Sequence, residues 1–136
     1  MKTYAVIDTN VLVSAMLSRH SDTATVQVVD LFLSGRIIPL FNNEIISEYS
    51  EVLHRGKFRL PESLIDKVLN EIQSKGISLH RTPSTEDFPD PKDIVLYEIA
   101  LSKDGSFLVT GNTKHFPKSP IVVTPAQMLE IIDNLQ

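Results

Sequence analysis

The chain has 136 residues, of which 42% are hydrophobic and 22% charged, and its formal net charge is −4. This composition is typical of a globular domain and excludes a disordered chain, so we expect one domain over residues 1–136. Cysteine is absent, which excludes a disulfide scaffold, thiolate zinc and a thiol nucleophile. The negative charge excludes nucleic-acid binding through a general positive field, so a phosphate ligand would need a metal ion or local basic residues.

The N-terminal segment lacks the pattern of a signal peptide or a membrane anchor. Its apolar run is broken at Asp8, Thr9 and Asn10, and no other segment approaches the roughly 18 apolar residues that span a membrane. The lack of cysteine also fits a reducing compartment. We therefore expect a cytoplasmic location.

The chain begins with the pattern of a strand, a polar turn and two helices. The β-rich run Thr3–Ile7 predicts a strand that stops at Asp8. Asn10 is a suitable N-cap for a helix through VLVSAMLS. The caps predicted for a second helix, through Leu33, are Ser21 and Asp22.

The next predicted elements are a strand and an amphipathic helix. Ile37–Leu40 predicts a strand, and Pro39 favours a sheet edge or a strand end because proline cannot donate to the ladder. Apolar side chains at three- and four-residue spacing predict a helix over EIISEYSEVLHR, capped by Asn42 and Asn43. The acidic residues on a common face of this helix are Glu44, Glu48 and Glu51.

The middle of the chain predicts a helix, a short strand and a loop. Pro61 precedes the helical pattern ESLIDKVLNEIQSK, which Gly76 closes. Ile77–His80 has the pattern of a short strand. The segment 81–93 is rich in proline and acidic residues and predicts a loop.

The C-terminal third predicts a helix, two strands and a last helix. Asp90 is a cap for a helix through IVLYEIALSK, with a proline in its first position. Ser106–Thr110 is the clearest buried strand, and Ile121–Val123 is a short one. Thr124 opens a helix over AQMLEIIDN.

This alternation of strands and helices predicts an α/β fold with a mostly parallel central sheet between two layers of helices. Ligands of such folds bind beyond the carboxyl ends of the strands. Asp8 follows the first predicted strand, and Asn112 follows the strand FLVTG. We therefore expect the chemistry of the protein at this edge of the sheet.

Each acidic candidate also has an ordinary structural interpretation. Asp8 precedes a helix and could be a cap, and Glu48 could be a solvated helix residue. Asp93 lies at the third helical position after Asp90, where a carboxylate resembles a capping box and is favoured by the helix dipole. Taken singly, these residues leave both interpretations open.

Four segments, taken together in chain order, favour the functional interpretation of these acids. The patterns TYAVIDTNV, IISEYSEVL, DPKDIVLYEIAL and FLVTGNTKHF together resemble the PIN domain nucleases, and most closely the toxin-like branch of toxin–antitoxin systems. The resemblance covers essentially the whole chain in the family's order. It implies a three-layer α/β fold and a nuclease activity.

The resemblance also implies a set of site residues. The acidic cluster of the family falls on Asp8, Glu48 and Asp93, and its fourth position falls on Asn112, where the family usually has an aspartate. Asn10 and Thr110 match the family's polar residue after the first acid and its hydroxyl residue before the fourth.

Clustered carboxylates repel one another and attract hard divalent cations, so the expected cofactor is Mg²⁺ or Mn²⁺. Such an ion polarises a phosphoryl oxygen and activates a bound water. Asn112 offers only a neutral oxygen, which weakens metal binding at its position. The nearby acids that could compensate are Asp87, Asp90 and Asp104.

Basic residues that could contact RNA are few. Lys92, Lys114 and His115 are the best placed, although solvated surface residues are the ordinary interpretation. The densest basic stretch is Arg55, Lys57 and Arg59 with Phe58, which could face substrate, a protein partner or solvent.

Two functions follow from these expectations. The first is a metal-dependent endoribonuclease that hydrolyses RNA, as the toxin of a toxin–antitoxin pair. The resemblance then implies an antitoxin partner and a homodimer. The alternative is a catalytically weakened PIN-like module that binds RNA or protein. A phosphoacceptor domain and a haloacid-type phosphatase are disfavoured, because TYAVIDTN has one acid and Asn10 replaces the second aspartate of a D-x-D motif.

Overall fold

A computed structural model describes residues 2–135 as a five-stranded sheet flanked by helices. The strands are β1 (Thr3–Ile7), β2 (Ile37–Phe41), β3 (Ile77–Ser78), β4 (Phe107–Val109) and β5 (Val122–Val123). Their spatial order is β3-β2-β1-β4-β5, and every described pair is parallel. The predicted α/β class and parallel sheet are therefore confirmed.

Within residues 2–135, five α-helices lie between these strands and a sixth follows β5. They are α1 (Thr9–Leu17), α2 (Ala24–Leu33), α3 (Asn43–Leu53), α4 (Glu62–Lys75), α5 (Pro91–Leu101) and α6 (Pro125–Asn134). Helix α2 contacts α1, α4 and α6, whereas α5 packs on β1, β2 and β4. Because crossovers between parallel strands are right-handed, the reversal of direction after β3 places α5 on the face opposite to α2 and α4. Within residues 2–135, no helix has the length and apolarity needed to cross a bilayer.

Most helix starts lie where the sequence predicts them, and their caps show why. The Asn42 side chain accepts a hydrogen bond from the Ile45 amide at 2.9 Å, and Asp90 accepts one from the Lys92 amide at 3.0 Å. Thr124 forms a reciprocal capping box with Gln127 at the start of α6. These polar side chains satisfy amide groups that the first helical turn leaves without partners.

Two predicted caps are wrong. Helix α1 begins two residues earlier than expected: Asp8 is its N-cap residue, with extended backbone, and its carbonyl accepts a hydrogen bond from the Val11 amide at 3.0 Å. Asn10 therefore lies inside the first turn. Helix α2 is capped by Thr23, whose hydroxyl accepts from Val26, and not by either of the two residues before it.

Pro39 does not lie on an edge strand as its chemistry suggests. Strand β2 has neighbours on both sides, with Ala5 opposite Pro39 on β1. Strand β3 pairs only with Leu40 and Phe41, beyond the proline, and is shorter than predicted. The missing proline N–H is tolerated because the β3 ladder starts after it.

The strand order creates a switch point next to β1. The chain adds β2 and β3 on one side of β1, then returns to place β4 on the other side. Crossovers diverge from the carboxyl ends of β1 and β4, and this divergence opens the crevice in which ligands of such sheets bind. Asp8 and Thr110 directly follow these two strands.

Candidate functional site

A cleft of about 400 Å³ opens at this switch point. Four acidic residues line it: Asp8, Glu48, Asp90 and Asp93. They come from three parts of the chain, namely the end of β1, the middle of α3 and the start of α5. The structure therefore brings together the three acids that the sequence singled out, and adds Asp90 to them.

Asp8 is the most enclosed of these acids, with 7% of its surface exposed. Its Oδ2 accepts a hydrogen bond of 2.7 Å from the Thr110 hydroxyl, and Thr110 itself is fully buried. Burial raises the pKa of the Asp8 carboxyl, the Thr110 hydrogen bond opposes that rise, and the nearby charge of Glu48 adds to it. Asp8 is thus held in one orientation by a partner on the neighbouring strand.

Glu48 projects from α3 toward the same cleft and is half-buried. The Thr9 hydroxyl donates a 2.6 Å hydrogen bond to Glu48 Oε2, which joins the start of α1 to α3. Next to it, Tyr49 is fully buried and its hydroxyl donates to the Ile7 carbonyl at the end of β1. This anchor fixes the helix turn that carries Glu48, so that the glutamate is not an ordinary solvated residue.

Asp93 lies in the first turn of α5, with 16% of its side chain exposed. Burial raises its pKa to about 6, and the negative charges of Asp8, Asp90 and Glu48 add to that rise. The His115 Nδ1 atom, 3.9 Å from Asp93 Oδ2, acts in the opposite direction. The neighbouring acids therefore disfavour the ionised form of Asp93.

Asn112 lies outside the acidic cleft. It is exposed and lines a neighbouring recess of about 340 Å³ together with Asn10, Ser14 and Thr25. Its backbone amide donates to the Thr110 hydroxyl at 3.0 Å, so Thr110 links it to Asp8. Asn10 lines both the recess and the cleft, and its Oδ1 atom is buried without a hydrogen-bond partner among residues 2–135.

The predicted basic residues are divided between two places. Lys92 lines the acidic cleft, and His115 is beside Asp93. Lys114 instead lines a separate cavity of about 520 Å³ with Phe116 and Lys118. The sequence could not make this distinction, because it depends on the path of the short 3-10 turn over Thr113–His115.

The acids considered as substitutes for the fourth position also separate. Asp90 lines the cleft. Asp104 precedes β4 and therefore lies at the opposite edge of the parallel sheet. Asp87 is exposed in the loop before α5.

Sequence reasoning missed the role of Thr9 and left open which way the basic stretch around Phe58 faces. Thr9 was noted only as a polar break, but its hydroxyl orients Glu48. Arg55 and Phe58, at the end of α3 and in the connector after it, line the cleft. The local density of positive charge was the available signal for the connector, and a β-strand end followed by a hydroxyl residue was the signal for Thr9.

Oxygen ligands suit Mg²⁺ or Mn²⁺, and this cleft offers only carboxylate, amide and hydroxyl oxygens at its centre. The mutual repulsion of the acids and the unpartnered Asn10 Oδ1 both fit a cation. In their present positions, however, no three His, Asp or Glu side chains within residues 2–135 form a group that could hold a metal ion. The donor chemistry therefore fits, while a closed ligand set is not formed.

Comparison with known families gives one match. The family model described as PIN domain matches residues 4–114, which cover β1 through the turn after β4 and so include all four predicted metal-site positions. No curated protein matches the chain.

Proposed function

The chain belongs to the PIN domain family, whose members are generally nucleases, and on this premise we propose that it is a metal-dependent ribonuclease that hydrolyses RNA phosphodiester bonds. The observation that carries the proposal is the convergence of Asp8, Glu48 and Asp93 on one cleft at the carboxyl edge of the sheet. Burial and mutual repulsion cost free energy, and a bound divalent cation would relieve both.

Asp8, Glu48 and Asp93 are the residues that would hold the ion, with Asn112 contributing a weaker or water-mediated contact. When bound, Mg²⁺ or Mn²⁺ polarises the phosphate and lowers the pKa of a coordinated water. The hydrogen bonds from Thr110 to Asp8 and from Thr9 to Glu48 occupy one oxygen of each carboxylate. These contacts hold both carboxylates in a fixed orientation at the cleft.

The remaining roles fall to uncharged and basic groups. We assign substrate contacts to Asn10, Lys92 and His115 at the cleft, and to Lys114 on the adjoining surface. Thr110 acts through Asp8 and Asn112. No side chain is assigned as nucleophile: water supplies the attacking oxygen, the bond between phosphorus and the leaving sugar oxygen breaks, and that oxygen takes up a proton.

Hydrolysis of a fluorescent single-stranded RNA, with Mg²⁺ or Mn²⁺, tests the proposal. EDTA and the Asp8→Asn variant are each expected to abolish cutting, while Asp30→Asn, an exposed acid on α2, is the matched control. Retained helix content of Asp8→Asn by circular dichroism establishes that its loss is chemical. Undiminished cutting by folded Asp8→Asn would refute the assignment.

A second candidate is supported by Asn112 and by the open arrangement of the acids. Because Asn112 is neutral and lines a separate recess, the fourth acidic position of the family pattern carries no charge in this chain. The protein would then be a PIN-like module that binds RNA or protein and cuts weakly. Asn112→Asp is the discriminating variant: a gain in Mn²⁺ affinity and turnover favours this second reading, and unchanged values favour the first.

We extend the proposal to a cytoplasmic toxin that forms a homodimer and is held inactive by an antitoxin. Sequence resemblance alone supports this extension. Expression in growing cells tests it, because growth arrest is expected from the chain and not from Asp8→Asn, and light scattering of the purified protein measures the dimer.

A further inference from the structure

The connector between α3 and α4 carries the densest positive charge in a chain of net charge −4. Arg55, Lys57 and Arg59 are exposed, and Phe58 between them is half-buried. Arg55 and Phe58 line the same cleft as Asp8, Glu48 and Asp93. Basic and aromatic side chains thus line one side of an acidic cleft.

The positive charges of the connector differ in whether they are already paired with an acid. Arg55 forms an ion pair with Glu51, 3.1 Å away, one turn earlier on α3. Lys57 and Arg59 form no ion pair with any acid in the described part of the chain. The Lys57 ammonium lies 5.2 Å from the centre of the Phe58 ring. Two free cations therefore flank an aromatic ring.

The backbone of the connector is held in a costly conformation. Arg59 has φ of 53°, in the left-handed region that non-glycine residues rarely adopt. Such strain persists only where surrounding structure imposes it, and it is found most often at ligand sites and clamps. On the other side of the connector, His54 bridges to Glu62 on α4 at 2.6 Å. The connector is therefore fixed at the rim of the cleft rather than free to collapse onto it.

We propose that Arg55, Lys57, Phe58 and Arg59 form a platform for single-stranded RNA that feeds the cleft, an inference that rests on the proposed function. A positive groove with an aromatic ring is the arrangement that binds single strands, because the cations contact successive phosphates and the ring stacks on an unpaired base. The phosphates need this local attraction because both the cleft and the whole chain are negative. Lys92, which lines the same cleft from the start of α5, would contact the same strand.

The platform also selects among nucleic acids. A ring can stack on a base only when that base is unpaired, so paired RNA gains nothing from Phe58. Lys57 and Arg59 can contact the phosphates of single-stranded and of paired RNA alike. The proposed platform therefore predicts that the protein binds single strands or loops in preference to duplexes.

Binding without cutting tests the platform. The Asp8→Asn protein in EDTA is titrated against a fluorescent single-stranded RNA and against its duplex, with anisotropy as the readout. In this background, Phe58→Leu is expected to weaken single-strand binding by roughly 5- to 100-fold and to leave duplex binding unchanged. The double change Lys57→Gln with Arg59→Gln is expected to weaken both and to reduce the slope of log affinity against log salt by about 1.4 for the single strand.

The matched control removes the same charge elsewhere. Lys2→Gln with Lys67→Gln changes an exposed residue before β1 and one on α4, neither of which lines the cleft, and is expected to bind RNA as the parent does. If the connector variants bind like this control, the platform is refuted. If they lose binding while the unmodified protein cuts no RNA with either metal, the platform stands and the proposed hydrolysis fails.

Discussion

Replacing Asp93 by asparagine is expected to make the protein more stable near neutral pH. The pKa of Asp93 is about 6 against an ordinary value of 3.8, so its ionisation in the folded state costs about 3 kcal/mol at 1.36 kcal/mol per unit. The variant also loses the favourable interaction of this negative charge with the dipole of α5, which costs it about 0.5 kcal/mol. The net expected gain for Asp93→Asn is therefore about 2–3 kcal/mol in metal-free buffer.

The sign of the effect depends on pH. A raised carboxyl pKa means that the folded state holds its proton more tightly, so the penalty is absent well below pH 4 and develops as pH rises toward 6. Urea unfolding with EDTA at about pH 8 and at about pH 4 measures the difference, with Asp30→Asn as the control for loss of an exposed acid. A variant that is less stable than the parent at the higher pH would show that Asp93 is a structural cap and refute the reasoning.

Three further variants test other contacts. Thr110→Val removes the donor to Asp8 and the acceptor for the Asn112 amide, so we expect a loss of about 1–2 kcal/mol and a shift of the acidic limb of the pH–activity profile to higher pH, both of which Thr110→Ser should spare. Arg81→Gln leaves the buried Glu98 carboxylate without its 2.7 Å partner, and is expected to cost about 2 kcal/mol or more and to open the segment before α5 to proteases; an unchanged cleavage rate would contradict this. Gly76→Ala places a methyl group in steric conflict with the Pro39 carbonyl oxygen and is expected to cost about 2 kcal/mol in urea unfolding, whereas Gly56→Ala, where the space is open, should cost little.

The parallel sheet could be predicted from local patterns, whereas the convergence of Asp8, Glu48 and Asp93 was predicted from the resemblance to the PIN domain nucleases. Strand ends in a parallel sheet share one edge, so a polar residue after each strand marks the site without knowledge of the full packing. The position of Glu48 required one more step, namely the helical spacing that separates it from the buried face around Tyr49. The family match over residues 4–114 agrees with the resemblance carried by these patterns.

The start of α1 and the separation of the basic residues could not be predicted locally. Both Asp8 and Asn10 have cap chemistry, and the choice between them depends on β4, since Asp8 is oriented by Thr110. In the same way, Lys114 and Arg55 are both basic and both lie in or near a short 3-10 turn. Only the course of their loops places Arg55 at the cleft and Lys114 in another cavity.

The hydrogen bond between Thr110 and Asp8 joins residues 102 positions apart. A contact of such long range forms late, because the intervening chain must be ordered before it closes. During synthesis, Asp8 leaves the ribosome long before Thr110 exists, and the five helices and three strands made before β4 do not include this partner. A newly made chain therefore acquires the paired Asp8 and Thr110 only when β4 has docked, after most of the chain has been made.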